Sequence, residues 1–324
     1  MNSENDYDKT TLISVVVPFF NESTGVLLFF DKIYETTKLI EGVRFEFVCI
    51  DDGSEDNTLP LLMTLASSDP RIRVIELSRN FGKESALTAG IDAARGDAII
   101  PIDGDLQDPP ELIATLIEKW HDGAEIVLAR RADRYVDCWW KRKTAAWFYR
   151  THNALSEVKI PPNVGDFRLM DRVAVEALKR MPERQRFMKG LFAWVGFRTD
   201  IVDYVRKPRL AGSSKFSGWK LWNFAIDGFT SFSTAPLKLW IYAGACGAFL
   251  SFLYGSFILI RTLAMGIDWP GYASIMVVIL FMGSLQLLSV GVLGEYIGRI
   301  YIESKQRPPY LVRALHERSD SDCE

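Results

Sequence analysis

Two long apolar runs near the C-terminus, residues 239–260 and 269–293, contain no charged side chain. At about 1.5 Å of rise per residue, a helix of either run covers the roughly 30 Å hydrocarbon layer of a bilayer. A buried core helix of that length normally keeps a polar face, so the pattern predicts two membrane spans. The short connection 261–268 makes them a hairpin and returns the chain to its starting side. Lys215, Lys220 and Lys238 precede the hairpin and Arg299, Lys305, Arg307, Arg313 and Arg318 follow it, against Arg261 in the connection. The positive-inside bias then places the bulk of the chain and both termini in the cytoplasm.

The N-terminal two thirds read as a different material. Residues 13–17, 45–50, 72–77, 98–102 and 126–129 are nearly continuous apolar runs of strand length, as strands covered on both faces require. Between them, 26–40, 57–66, 84–95 and 110–120 have helical length and spacing, the last opening on a proline suited to a first turn. Such alternation predicts a mainly parallel sheet with helices on both faces. The expected division is a polar tail over 1–11, a soluble α/β domain over 12–203, a juxtamembrane segment over 204–235, the hairpin over 236–294 and a C-terminal tail over 295–324.

Several classes are excluded by composition. A net charge of -3 gives no basic excess for nucleic acid. The polar opening MNSENDYDKTT is no signal peptide. Cys49, Cys138, Cys246 and Cys323 form no CxxC pair, which fits a reducing compartment and argues against a structural zinc site. His121, His152 and His316 show no metal spacing. No G-x-G-x-x-G follows the first strand, and Gly82-Lys83 lacks the rest of a P-loop, so a dinucleotide fold or NTPase is disfavoured.

Ligands of parallel sheets gather beyond the carboxyl ends of the strands. There the sequence places Pro18-Phe19-Phe20-Asn21-Glu22, then Asp51-Asp52-Gly53-Ser54, then Asp103-Gly104-Asp105-Leu106-Gln107-Asp108. D-x-D also occurs at Asp6/Asp8 and Asp320/Asp322, but there it lies in polar tails, whereas Asp103/Asp105 follows an apolar strand. Carboxylates crowded on one rim repel unless a cation joins them, and hard oxygen donors suit Mg²⁺ or Mn²⁺. The competing reading makes these aspartates turn formers and helix caps, for Asp51 above all.

The runs PFFNE, DDGS, NFGKESALTAGIDAARGDAIIPIDGDLQDPPELI, GDFRLMDR and VGVLGEYIGRIYIESKQRPPYLV together resemble GT-A glycosyltransferases of family 2. Within these the likeness is to polyprenyl-phosphate glycosyltransferases, closest to the bactoprenol (undecaprenyl-phosphate) glucosyltransferases, over residues 14–312. The resemblance implies a Rossmann-like GT-A domain with a two-helix transmembrane hairpin, a UDP-sugar donor, a polyprenyl phosphate acceptor and Mg²⁺ or Mn²⁺. It implies that Pro18, Asn21, Glu22, Asp52 and Asp103 contact the nucleotide-sugar, and that Asp105 and Gln107 contact the metal. It further implies that Asp103, Asp105 and Asp166 serve the reaction, and that Lys215, in a flexible basic loop, closes over the diphosphate. A lipid monophosphate is already anionic, its second pKa being about 6, so Asp166 is not needed as a base and could orient the sugar or a basic side chain.

Cations near the membrane interface are needed to hold the acceptor phosphate. Arg130 ends the fifth strand, and Arg142 lies in 139–151, an expected interfacial helix with Trp140 and Trp147 on the opposite face. A second such segment contains Trp219 and Trp222. The run 184–190 could be a basic lid or an exposed helix cap. Gly244, Gly247, Ala248, Gly283 and Gly291 permit close helix contact and leave a homo-oligomer open. The expected activity is inverting transfer of glucose from UDP-glucose to undecaprenyl phosphate at the cytoplasmic face of the inner membrane, supplying a flippase. Mannose, galactose, N-acetylhexosamine or formyl-aminoarabinose are the alternatives within the fold. A non-catalytic transport or scaffold protein is the alternative outside it.

Overall fold

The computed structural model describes residues 11–132, 161, 163–181, 183, 184, 186, 188–205, 235–265 and 271–317. The chain runs β1 (Thr11–Phe19), α1 (Ser23–Thr37), β2 (Val43–Asp51), α2 (Thr58–Ser68), β3 (Ile72–Leu77), α3 (Lys83–Ala93), β4 (Ala98–Pro101), α4 (Leu112–His121) and β5 (Ile126–Arg131). These are the strands and helices that the apolar runs predict. After them come β6 (Val164–Asp171), α5 (Arg172–Lys179), α6 (Met188–Trp194), β7 (Thr199–Tyr204), α7 (Ala235–Met265), α8 (Tyr272–Ser304) and β8 (Val312–His316).

All eight strands join one sheet in the order β7-β5-β6-β4-β1-β2-β3-β8. Pairing is parallel for β1 with β2 and β4, for β2 with β3 and for β5 with β7, whereas β6 and β8 run antiparallel to their neighbours. Side chains alternate across the sheet, so Ile13, Val15 and Val17 pack with α1, α2 and α4 while Val16, Val48 and Ile50 pack with α3, α5 and α6. Both faces are therefore dry, and the polar ends of the strands are left as the place for chemistry.

The antiparallel strands decide what meets at the carboxyl end. Because β6 opposes β4, its first residues lie where β4 finishes. The register Ala98↔Asp171, Ile99↔Met170, carried forward, brings position 166 level with position 103. Likewise Val312 at the start of β8 pairs with Leu77 at the end of β3, so α8 leads into the sheet at the same rim.

The C-terminal region carries more regular structure than the expected division names. Residues 295–324 are not simply a tail: α8 continues to Ser304, and β8 completes the sheet edge. A short exposed strand gives little hydrophobic signal, since its partner's unpaired backbone groups recruit it. The hairpin positions do form helices, α7 and α8, which lie against each other. Among the described residues, however, no helix is long and apolar enough to cross a membrane. The described residues show instead an exposed apolar surface, with Tyr242, Phe249, Leu250, Leu263 and Leu287 all more than half solvent-facing.

Candidate active site

Three rim loops are stitched together by their own polar groups. The Asn21 backbone N–H donates to Ser54 Oγ (3.0 Å), and Asn21 Oδ1 accepts the Glu55 N–H (2.8 Å). Glu22 N–H donates to Thr58 Oγ1 (2.9 Å). These bonds lock the loop after β1 to the loop after β2, and Asn21 takes a left-handed φ of 51°, which asparagine tolerates. Pro18 sits in β1 beside Ile50.

The DDGS aspartates turn inward. Asp51 and Asp52 are almost fully buried. Asp51 Oδ2 accepts the Ser54 N–H (3.1 Å), a turn role. Asp52 accepts the Phe81 N–H at Oδ1 (2.7 Å) and the Gly82 N–H at Oδ2 (2.9 Å). Burial raises the pKa of Asp52, opposed by those two N–H groups. The expected cluster of four mutually repelling carboxylates is therefore smaller. Backbone donors engage both oxygens of Asp52 and one oxygen of Asp51, whereas Asp103 and Asp166 meet a side-chain cation.

A cation already stands there. Lys83, the first residue of α3, places Nζ 2.7 Å from Asp103 Oδ1 and 2.7 Å from Asp166 Oδ2. Burial opposes the charge on Lys83, but the two carboxylates outweigh it and the pKa is raised, so the ammonium stays protonated. Sequence reasoning passed over Lys83 because it tested Gly82-Lys83 only as a P-loop. The run NFGKES beside a strand end was the available signal.

Asp105 Oδ1 accepts the Gln107 N–H (3.1 Å), which shapes the turn, and Leu106 between them adopts φ 56°, a strained value for leucine. Gly104 is needed in this turn as it stands: a Cβ there would come within 2.5 Å of the Phe19 ring. Gln107 Oε1 is buried and accepts no hydrogen bond. Among the described residues no three His, Cys, Asp or Glu side chains converge as a ready-made metal cage. Asp105 and Gln107 nonetheless fit Mg²⁺ or Mn²⁺, since a hard cation bound with a diphosphate takes one or two protein oxygens and the rest from substrate and water.

Strand alternation separates the two arginines that end β5. Arg130 turns outward and is paired with Asp203 of β7, Nε to Oδ1 at 2.6 Å and Nη2 to Oδ2 at 2.8 Å. Arg131 faces the other way, its Nε donating to the Tyr204 hydroxyl (3.2 Å) and its Nη2 3.8 Å from Asp108 Oδ1. Its Nη2 also lies 3.4 Å from the Cβ position of Gly165, next to Asp166. Of the two, Arg131 is the arginine whose charge acts on Asp103, while that of Arg130 acts on Asp203. Arg168 is buried under the site, donating to the Gly165 carbonyl (2.6 Å) with its guanidinium 4.0 Å from the Phe192 ring centre. Burial pushes its pKa down to about 10, which still leaves it charged at neutral pH. Arg142 and Lys215 lie outside the described residues, as do both interfacial segments.

Residues 14–179 match glycosyl transferase family 2, and residues 235–300 match the GtrB C-terminal hairpin. A bactoprenol glucosyl transferase of Shigella phage SfV is 56% identical over 93% of this chain and 98% of its own length. The prophage bactoprenol glucosyl transferase homolog of Escherichia coli K12 is 54% identical over 94% of this chain and 99% of its own. A solved mannosyltransferase from Pyrobaculum calidifontis, in complex with GDP-Man and Mn²⁺, covers 91% of this chain and 83% of its own at 17% identity and a TM-score of 0.45, too slight a likeness to carry chemistry across. The acidic rim at the carboxyl ends of a mainly parallel sheet, and a sequence kinship running nearly end to end, have one explanation: the chain belongs to glycosyl transferase family 2 and is a glycosyltransferase carrying the GtrB C-terminal hairpin.

Proposed function

We propose that the enzyme transfers glucose from UDP-glucose to undecaprenyl phosphate at the cytoplasmic face of the inner membrane, with inversion at the anomeric carbon. The observation that carries this reading is the coincidence of two things at one rim. The Asp103–Lys83–Asp166 cluster lies at the carboxyl end of the sheet, and α8 enters the sheet at that end through β8. A soluble donor and a lipid head group could then meet without either crossing the domain. The names of the bactoprenol relatives support the lipid acceptor and the sugar. The apolar surfaces of α7 and α8 and the uncharged runs 239–260 and 269–293 support insertion in a bilayer.

In this reading Asp105 and Gln107 hold Mg²⁺ or Mn²⁺ with the donor diphosphate. When bound, the ion would offset charge developing on the departing nucleotide. Asp103 and Asp166 line the sugar side, held at fixed separation by Lys83. Arg131 supplies a positive charge next to that pair, where the acceptor phosphate must approach, and Arg142 and Lys215 are further cations for the two anionic substrates. The acceptor arrives as an anion, so binding and alignment are the main tasks of these side chains. Export of the glycolipid would fall to a flippase.

Membranes containing the enzyme, given polyprenyl phosphate and a panel of labelled UDP-sugars, test the proposal. Labelled glycolipid should form with UDP-glucose in preference to the others. Preference for a different UDP-sugar would change the donor, and no glycolipid with any of them would overturn the reading.

A further inference from the structure

We propose that Asp52 and Lys83 form one positioning device, in which Asp52 fixes the turn that delivers Lys83 and Lys83 ties the Asp166 carboxylate to that of Asp103. The device rests on the donor reading above, to which it adds a role for two residues.

The turn 79–82 is gripped from below. Asp52 binds the N–H groups of Phe81 and Gly82 with separate oxygens, at 2.7 and 2.9 Å. Gly53, at φ +69°, lies so close that a Cβ would stand 2.5 Å from the Arg79 carbonyl carbon and 2.6 Å from the Asn80 nitrogen. Gly82 takes φ +94°, the conformation that sends the chain into α3, and Lys83 is the next residue. Lys83 Nζ meets Asp103 Oδ1 at 2.7 Å, Asp103 Oδ2 at 2.8 Å and Asp166 Oδ2 at 2.7 Å. An ammonium has three donors, and three carboxylate oxygens, two from the loop after β4 and one from β6, surround this one. Asp52 itself is 3% exposed, so its carboxylate acts on the cleft through the turn.

The device has a measurable consequence apart from transfer. With the Lys83 ammonium removed, Asp103 and Asp166 lose the cation they share at 2.7 Å, and the pair attracts a free divalent cation more strongly. Mn²⁺ binding to purified full-length protein without nucleotide, followed by electron paramagnetic resonance, reads this directly. Lys83→Gln should bind Mn²⁺ about five- to tenfold more tightly than the unaltered protein, and Lys83→Arg should stay near it. Asp52→Asn should shift the affinity in the same direction, and the double variant should match Lys83→Gln alone. Gly82→Ala disturbs the same turn without altering charge and should repeat the Asp52→Asn effect, which keeps the test intact if Asp52→Asn unfolds. In transfer assays Lys83→Gln should lower kcat about tenfold or more with donor KM moved less than about threefold, and Lys83→Arg should restore part of the loss. Unchanged Mn²⁺ affinity in Lys83→Gln would overturn the proposal, as would an Asp52→Asn effect that adds in full to that of Lys83→Gln. If UDP-glucose supports no transfer while Lys83→Gln still tightens Mn²⁺ binding, the donor reading fails and the device stands.

Discussion

At the scale of single residues, direction matters more than identity. Arg130 and Arg131 are adjacent and chemically alike, yet one is spent on Asp203 at the surface and the other lies beside Gly165 and Asp108. Asp52 and Asp103 both follow strands, yet backbone N–H groups enclose the first while the second reaches the cleft. Residue types at strand ends were legible in the sequence because apolar runs stop there. Orientation was not, because it depends on loop geometry that no local pattern encodes. Asp105 gives the plainest test. Asp105→Ala should cut metal-dependent transfer by about a hundredfold or more while leaving expression and the thermal unfolding midpoint nearly unchanged. Retained transfer would remove Asp105 from the metal site.

At the scale of elements, one carboxylate organises two helix starts. Asp56 Oδ2 accepts the Ser23 N–H at 3.1 Å and Oδ1 accepts the Thr58 N–H at 3.0 Å, so the first turns of α1 and α2 share a cap. Burial is the largest single influence and opposes the charge, but the Thr58 and Ser23 donors together outweigh it and hold the Asp56 carboxyl at about 2. Asp56→Ala should cost about 1 kcal/mol at neutral pH, measured by chemical denaturation. The sign of the pH dependence follows from the lowered pKa. Between about pH 4 and 2 the unfolded chain binds more protons at this site, so its contribution is complete above the ordinary carboxylate value and is lost as pH falls through about 2. The difference between the Asp56→Ala variant and the unaltered protein should shrink over that window. A difference that stays constant down to pH 2 would show that the effect is not the carboxylate's charge.

At the scale of the whole molecule, the C-terminal strand joins the hairpin to the catalytic sheet. The Ser78 N–H donates to the Leu311 carbonyl (2.9 Å), the Tyr310 hydroxyl to Asp92 (2.8 Å) and Arg73 Nε to Glu317 (2.8 Å), while Arg313 and His316 both reach Glu76. Arg73 is also 3.5 Å from buried Glu46, so loss of Glu317 would leave a largely buried cluster with fewer partners. Removing residues 310–324 should lower the unfolding midpoint of the detergent-solubilised protein by about 5 °C or more and promote association through the bared edge of β3. An unchanged midpoint would mean that β8 is an ornament of the edge.

The sequence alone determined the alternation of β1 to β5 with α1 to α4, because burial on both sheet faces imposes continuous apolar strands and helical spacing between them. It also marked the Asp103–Asp105 turn and the uncharged runs of the hairpin, each a local signal carried by neighbouring residues. Only the tertiary structure decided that Asp166 lies level with Asp103, that Lys83 stands between them, and that β8 returns to the sheet. Those relations join residues about 20 to more than 200 positions apart, and they arise from antiparallel register and loop closure. Such pairings have no trace in composition or period, because each strand's pattern is satisfied by any partner that covers it.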